Sequence, residues 1–256
     1  MTNIILCGCG GKMGQAIIRS VDSGKDFRIV AGIDINAGEL ASAYTFPVFE
    51  SISDFPGKAD AIVDFSHHTA LPALLDYSKK NGTPIVVATT GHTDEELAAM
   101  KAAAEHTALF HSGNMSIGIN LLIELCREAC KTLGESFDIE ITEKHHNQKL
   151  DAPSGTALMI ANALAEERNS TDFVYDRHSV RRKRESSEIG IHSIRGGTIV
   201  GEHEVLFAGN NEMITLTHTA TSREIFASGA LRAAAYIASK ANTPGLYNMS
   251  DLINNR

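Results

Sequence analysis

The feature that most constrains the fold of this chain is a glycine-rich turn between an apolar strand and a helix. An apolar run at residues 4–6 leads into the turn, and a helical pattern follows at residues 15–23. Glycines let the backbone approach a pyrophosphate closely, and the free N–H groups of a helix N-terminus stabilise phosphate charge. An ordinary turn is the alternative, but the order strand, turn, helix favours dinucleotide binding. The turn departs from the strict G-x-G-x-x-G pattern, with Met13 in place of a glycine and glycines at Gly8, Gly10, Gly11 and Gly14.

Asp34 stands at the end of the second predicted strand, residues 27–34, where a carboxylate accepts hydrogen bonds from an adenine ribose. Further apolar runs at residues 59–65, 84–89 and 108–111 alternate with helical stretches, which predicts a parallel sheet with crossover helices. The carboxyl edge of such a sheet is where ligands bind. The predicted cofactor-binding residues are Gly8, Cys9, Gly10, Gly11, Lys12, Met13, Asp34, Ala88, Thr89, Thr90, Ser112, Gly113, Asn114 and Met115.

The pattern changes after residue 116, where one long helix is followed by strands that alternate apolar and polar residues. Gly196-Gly197 and Gly209-Asn210 are predicted to be the turns between the last three strands, and a final helix is predicted over residues 224–240. We therefore expect an α/β protein with an N-terminal Rossmann-like dinucleotide-binding domain, residues 1–115 plus 223–256. A second α+β domain, residues 116–222, is expected to contain a mostly antiparallel sheet.

Composition excludes several classes of protein. The formal net charge of −8 argues against a general nucleic-acid binder, and the basic run at residues 181–184 is interpreted as a solvated loop rather than a polyanion site. No apolar run reaches the roughly 18 residues of a membrane span, and the N-terminus lacks the pattern of a signal peptide. We expect a cytoplasmic protein with no membrane partner and with four reduced, structural cysteines.

Residues 143–158 contain the largest cluster of side chains that could take part in catalysis or bind an anion. His145, His146 and Lys149 offer protons or cationic donors, and a helix start at residues 154–156 offers hydroxyls and backbone N–H groups. These groups predict an anion site with a general acid. The His-His pair could instead bind a metal, but no Cys, Asp or Glu cluster at ligand spacing accompanies it, so no metal is expected.

Residues 143–158 resemble the signature of the dihydrodipicolinate reductase family, roughly E-x-H-H-x-x-K-x-D-A-P-S-G-T-A. The glycine turn with its displaced Met13 also resembles the family's cofactor loop. Further similar features are Thr89-Thr90-Gly91, Asn114-x-Ser116 and Arg195-Gly196-Gly197, and the resemblance covers essentially the whole chain. Ala88 is a departure, because many members have glycine there.

The resemblance implies a reaction: NAD(P)H-dependent reduction of 4-hydroxy-tetrahydrodipicolinate, a small dicarboxylate of the diaminopimelate and lysine pathway. It also implies that His145 is the general acid, that Lys149 is its catalytic partner, and that the enzyme is a homotetramer built through the second-domain sheets. The substrate-binding residues implied are His146, Lys149, Ser154, Gly155 and Thr156.

NADH is expected to be preferred over NADPH, because Asp34 is followed by Ile35 rather than by an arginine. Lys12 could still reach a 2′-phosphate. Two alternatives remain. Another nicotinamide enzyme, such as an amino-acid dehydrogenase, would explain the glycine turn but not residues 143–158. A non-catalytic dinucleotide sensor would not need His145 or Lys149.

Overall fold

The computed structural model describes residues 1–168 and 172–254. The chain divides into two compact units. The first unit comprises Met1–Ile117 with Arg223–Arg256, and the second comprises Gly118–Ser222.

The first unit is an α/β unit built on a parallel sheet with the strand order β12-β6-β5-β4-β1-β2-β3, in which every pairing is parallel. The order reverses between β1 and β4, so the prediction of a Rossmann-like N-terminal domain is confirmed. The strands are β1 (Thr2–Cys7), β2 (Phe27–Ile33), β3 (Val48–Phe49), β4 (Ala61–Asp64), β5 (Ile85–Val87), β6 (Ala108–His111) and β12 (Gly245–Tyr247). The helices are α1 (Lys12–Asp22), α2 (Ala37–Leu40), α3 (Leu71–Asn81), α4 (Asp94–Ala103), α7 (Glu224–Ala238) and α8 (Met249–Asn254).

The local sequence determines where helix α3 ends and where helix α4 begins. Helix α3 ends at Gly82, whose φ of 62° is in the left-handed region that favours glycine. Helix α4 begins with a capping box, in which Thr93 and Glu96 each accept the other's backbone N–H.

The second unit contains a five-stranded sheet in the order β11-β10-β7-β9-β8, and this sheet is mixed. Strand β10 is antiparallel to β11 and β7, whereas β9 is parallel to β7 and β8. The expectation of a mostly antiparallel sheet is therefore wrong. The elements are α5 (Ile117–Leu133), β7 (Asp138–His145), α6 (Gly155–Arg168), β8 (Phe173–Val174), β9 (Ile189–Arg195), β10 (Gly201–Ala208) and β11 (Met213–Ala220).

The position of α6 explains the error. This helix lies between β7 and β9 in the chain and returns it to the end where β7 began, so β9 runs parallel to β7. The turn at Gly196-Gly197 is consequently not a hairpin, because β9 and β10 lie on opposite sides of β7. The turn at Gly209-Asn210 does join a hairpin, with Ala208 opposite Met213.

The alternation along β7 places chemistry on the buried side of this sheet. Ile139 and Ile141 are fully buried in the core of the second unit. Because side chains in a strand alternate with a period of two, Glu143 and His145 continue the same face and are buried too. A carboxylate buried in this way needs hydrogen-bond partners.

The structure also gives the surroundings of the four cysteines and of the basic run at residues 181–184. All four cysteines are free and buried. Burial raises the pKa of Cys9 to about 11 and that of Cys126 to about 12. In the basic run, Arg182 pairs with Glu188, and Arg184 pairs with Asp138 and Glu140. No helix in residues 1–168 or 172–254 has the length and apolar content needed to cross a membrane.

Candidate active site

The glycine turn borders a cleft of about 530 Å³ at the carboxyl ends of β1, β2 and β4. Gly8 has a φ of 74°, and a Cβ there would lie 2.5 Å from the carbonyl oxygen of Phe65. Only glycine can therefore bring this backbone so close to the chain leaving β4. The residues that line the cleft include Cys7, Gly8, Gly10, Gly11, Ile33, Asp34, Ile35, Asn36, Glu50, Phe65, Ser66, His67, Thr69, Ala70 and Leu74.

Main-chain groups hold the carboxylate of Asp34 in this cleft. The N–H of Gly10 donates to Asp34 Oδ2 at 2.9 Å, and the N–H of Asn36 donates to Asp34 Oδ1 at 3.0 Å. Ile35, the next residue, is 84% exposed, and Lys12 is exposed in the first turn of α1. Each carboxylate oxygen retains a lone pair for a further donor.

The turn fits the phosphates of a dinucleotide. Gly11 precedes α1 and has no side chain, so the N–H groups of the first helical turn have no side-chain cap. A Cβ at Gly14 would lie 2.3 Å from the carbonyl oxygen of Gly8, which keeps the helix start close to the strand end. These are the geometric requirements of an anion site at a helix N-terminus.

The other predicted cofactor residues divide into buried and exposed groups. Cys9 and Met115 have buried side chains in the core, and Met13 packs against that core. The hydroxyl of Thr89 donates to Asp64, and that of Ser112 donates to the carbonyl of Asn114. Ala88, Thr89, Ser112 and Asn114 are buried, whereas Thr90 and Gly113 are exposed in the loops after β5 and β6.

The segment after β4 was missed as part of this site. Phe65, Ser66 and His67 line the cleft, and Asp64 accepts hydrogen bonds from Ser66 and Thr89. Burial raises the pKa of the Asp64 carboxyl, and the hydrogen bonds oppose that rise. The sequence could have indicated this segment, because it follows a predicted strand and must lie at the carboxyl edge of the sheet.

In the second unit, the buried carboxylate of Glu143 is the centre of a hydrogen-bond network. Arg195 binds both of its oxygens, at 2.7 Å and 2.8 Å. His145 Nδ1 lies 2.5 Å from Glu143 Oε2, and the N–H of Ser154 donates to Oε1 at 3.1 Å. Burial alone would raise the pKa of Glu143, but hydrogen bonds from Arg195, His145 and Ser193 lower it to about 2.

The ionised state of Glu143 fixes the tautomer of His145. A carboxylate is only an acceptor, so the hydrogen in this short contact belongs to His145 Nδ1. Nε2 is then the nitrogen that can exchange a proton. Burial lowers the pKa of His145, and its hydrogen bond to Glu143 acts in the opposite direction.

The start of α6 lies next in the chain and brings a cation and backbone donors together. Lys149 Nζ lies 2.8 Å from Asp151 Oδ1, and the backbone of Gly155 also donates a hydrogen bond to Asp151. A Cβ on Gly155 would meet no atom within 4 Å, so the approach to this helix start is open. Thr156 follows in the first turn of α6, and His146 is half-buried.

His203 on β10 was also missed. Its Nε2 lies 3.1 Å from Ser154 Oγ, the hydroxyl that also accepts the N–H of Ala157 at the start of α6. Burial lowers the pKa of His203 to about 4, so its ring is neutral at pH 7. Among the described residues, no group of three or more His, Cys, Asp or Glu is arranged to hold a metal ion.

An α/β unit with a glycine turn at a helix start, joined to a unit with a buried acid–base pair, is typical of the class of two-unit nicotinamide oxidoreductases. Family models described as the N-terminus and the C-terminus of dihydrodipicolinate reductase match residues 2–115 and 118–253. The chain therefore belongs to the dihydrodipicolinate reductase family, and the resemblance in residues 143–158 is confirmed.

Relatives match over the full length of the chain. A 4-hydroxy-tetrahydrodipicolinate reductase of Clostridium novyi is 49% identical over 257 residues, covering 100% of both chains. That of Caldanaerobacter subterraneus subsp. tengcongensis is 48% identical over 257 residues, covering 99% of this chain and 98% of the relative. A dipicolinate-bound dihydrodipicolinate reductase from Paenisporosarcina sp. TG-14 superposes with a TM-score of 0.79 at 28% identity, covering 97% of each chain.

Proposed function

We propose that this protein reduces 4-hydroxy-tetrahydrodipicolinate to tetrahydrodipicolinate with a pyridine nucleotide, a step of diaminopimelate and lysine biosynthesis. Membership of the dihydrodipicolinate reductase family over both units carries this proposal. The acid–base pair of Glu143 and His145 beside the start of α6 supplies the chemistry that an enzyme needs and a dinucleotide sensor does not.

The start of α6 is proposed to bind the substrate's carboxylates. Lys149 supplies a positive charge, and Gly155 and Thr156 lie in the first helical turn, where N–H groups point away from the helix. His146 is assigned to the same task. Ser154 is assigned a supporting role, because its hydroxyl is engaged by Ala157 and His203. Charge-assisted hydrogen bonds of this kind are about twice as strong as neutral ones.

His145 is proposed to supply the proton of the reaction, with Lys149 as its catalytic partner. Loss of the substrate's hydroxyl group as water leaves a conjugated imine, and a pyridine nucleotide held at the glycine turn would supply the hydride that this ring accepts. The enamine that results takes up one proton, which His145 Nε2 donates while Glu143 keeps the Nδ1 hydrogen in place. The positive charge of Lys149 beside the substrate favours the electron-rich ring that forms.

NADH is proposed as the preferred cofactor, with residual use of NADPH. The carboxylate of Asp34 lines the cleft and is held by Gly10 and Asn36. A 2′-phosphate about 4 Å away would be repelled by roughly 4 kcal/mol at an effective dielectric constant of 20. Salt and water reduce that figure at an open cleft.

The second unit is proposed to assemble a homotetramer through its sheet. One face of β10 and β11 carries half-buried and exposed residues, among them Leu206, Thr215 and the 71%-exposed Met213. Exposed apolar residues on a sheet face are typical of an assembly surface.

The proposal is tested by mixing purified protein with freshly made 4-hydroxy-tetrahydrodipicolinate and following NADH oxidation. We expect oxidation that depends on the substrate and is inhibited competitively by dipicolinate, a planar dicarboxylate. A protein that binds NADH but oxidises none in the presence of this substrate would instead be a dinucleotide-binding protein with another role.

A further inference from the structure

We propose that Glu143 is a positioning residue that sets both the ring of His145 and the start of α6, so that one buried carboxylate aligns the proton donor with the substrate-carboxylate site. This inference rests on the proposed function, in which His145 donates the proton.

The two oxygens of Glu143 have different partners. Oε2 binds the ring of His145, whereas Oε1 accepts the backbone N–H of Ser154, the residue immediately before α6. Arg195 reaches both oxygens and also donates to the carbonyl of Asp151 at 2.6 Å. The carboxylate is fully buried, so these contacts are not exchanged with water. A displacement of Glu143 therefore moves the proton donor and the helix start together.

The absence of a side chain at position 201 keeps His145 Nε2 from being blocked on the side of β10. Position 201 on β10 faces this nitrogen, and a Cβ there would lie 3.1 Å from it. Gly201 has no such atom. Nδ1 is held by Glu143, so the ring has one orientation in which Nε2 is the exchangeable nitrogen.

Four charged or titratable groups face His145 from the elements packed against it. Glu143 lies on the same strand, Arg195 on β9, His203 on β10, and Lys149 in the loop after β7. Glu143 is the group among them that raises the pKa of His145, whereas burial, Lys149 and Arg195 lower it. Loss of the Glu143 charge therefore leaves only influences that favour the neutral ring.

The opposite face of the same strand offers a matched control. Like Glu143, Glu140 binds a histidine and arginine: its partners are His192 at 2.7 Å, Arg177 at 2.7 Å and Arg184 at 3.0 Å. Its network contacts neither His145 nor the start of α6. Glu140→Gln thus removes a comparable carboxylate without touching the proposed coupling.

The experiment is a histidine titration by NMR, with 13C-labelled rings and with the His145 signal assigned from its loss in His145→Ala. In Glu143→Gln we expect the pKa of His145 to fall by at least about one unit. The alkaline limb of kcat/KM should move to lower pH by the same amount, and KM for the substrate should rise. Glu140→Gln should leave the pKa and both kinetic parameters at wild-type values.

An unchanged His145 pKa in folded Glu143→Gln would overturn the inference, as would an equal change in Glu140→Gln. Should Glu143→Gln not fold, Glu143→Asp provides the test, because it keeps the charge and withdraws the carboxylate by one methylene. We expect its His145 pKa to fall, because the hydrogen bond to the carboxylate that raises it is lengthened, while kcat falls and KM rises. Wild-type kcat and KM in Glu143→Asp would contradict the positioning role. The titration needs no substrate, so it tests the role of Glu143 even if the wild-type protein does not reduce the proposed substrate.

Discussion

The cleft beside the glycine turn is built from main-chain atoms, whereas the network around Glu143 is built from side chains. In the cleft, backbone N–H groups hold Asp34, and the absence of a Cβ at Gly8 allows the chain to pass Phe65. In the network, Arg195 and His145 provide most of the donors to Glu143. The cleft should therefore be disrupted by substitutions that add a side chain to a glycine. The network around Glu143 should be disrupted by substitutions that remove a charged side chain.

The difference follows from what each site has to do. A phosphate is recognised by N–H groups and a helix dipole, which any sequence can supply if its backbone comes close enough. Proton transfer needs one nitrogen with a defined tautomer and pKa, which only specific side chains provide.

His145→Ala and Lys149→Ala should lower turnover by about 10²- to 10⁴-fold, because each removes a group placed at the proton-transfer step. NADH affinity, measured by fluorescence titration, should stay near the wild-type value, since both residues lie in the second unit and the glycine turn lies in the first. Near-normal turnover in either variant would remove that residue from the mechanism.

The local sequence was enough to predict the glycine turn and the helix start after Ser154. Each depends on residues within a few positions of one another. The mixed sheet of the second unit was not predictable in this way, because the parallel pairing of β7 with β9 depends on where α6 packs.

Site residues that are distant in the sequence were likewise not predictable from the local sequence. The sequence marks His145 and Lys149 because they crowd into one segment, but His203 is 49 residues from the Ser154 hydroxyl that it contacts. Only the register of β10 against β7, with His203 opposite Glu143, brings it into the network. Asp64 was missed for another reason, since a carboxylate at the end of a buried strand is ambiguous until its partners Ser66 and Thr89 are placed.

His203 should make stability depend on pH. Its pKa is about 4 in the folded protein and about 6.5 when unfolded, so between these values the unfolded state binds the extra proton. Stability is fully present above pH 6.5 and is lost as pH falls towards 4, by about 3 kcal/mol. Chemical unfolding at several pH values should show a shallower dependence in His203→Gln than in wild type. Replacing the exposed His178 with Gln should leave the wild-type slope, and equal slopes in all three proteins would refute the assignment.

Gly14→Ala should destabilise the first unit by about 1–3 kcal/mol and weaken NADH binding, because the added Cβ would lie 2.3 Å from the carbonyl oxygen of Gly8. Gly38→Ala is the matched control, since its added Cβ would meet no atom within 4 Å and Gly38 does not line the cleft. Thermal unfolding and NADH titration would compare the two. If both variants behave alike, close backbone approach at Gly14 is not what builds the cleft.

Asp34 should give a preference for NADH over NADPH of roughly tenfold in kcat/KM, equivalent to about 1.4 kcal/mol. Asp34→Asn should remove most of this preference, whereas Asp26→Asn, at an exposed position before β2, should not. Steady-state kinetics with both cofactors measures the ratio. A tenfold preference for NADPH in wild type would point to Lys12 as the controlling residue, and Lys12→Ala should then abolish it.

The smallest effect is expected at Asp151, whose carboxylate binds the two groups proposed to receive a substrate carboxylate, Lys149 Nζ and the backbone of Gly155. A bound substrate must displace it, so Asp151→Asn should lower KM while kcat stays nearly constant. The side chain of Asp151 is 57% exposed, and solvent screening limits the gain to roughly two- to fivefold. Asp76→Asn removes a similar exposed pair with Lys80 in α3 and should leave KM unchanged. A raised KM in Asp151→Asn would mean that Asp151 orients Lys149 for the substrate rather than competing with it. The network around Glu143 would then extend its positioning role to the surface of the site.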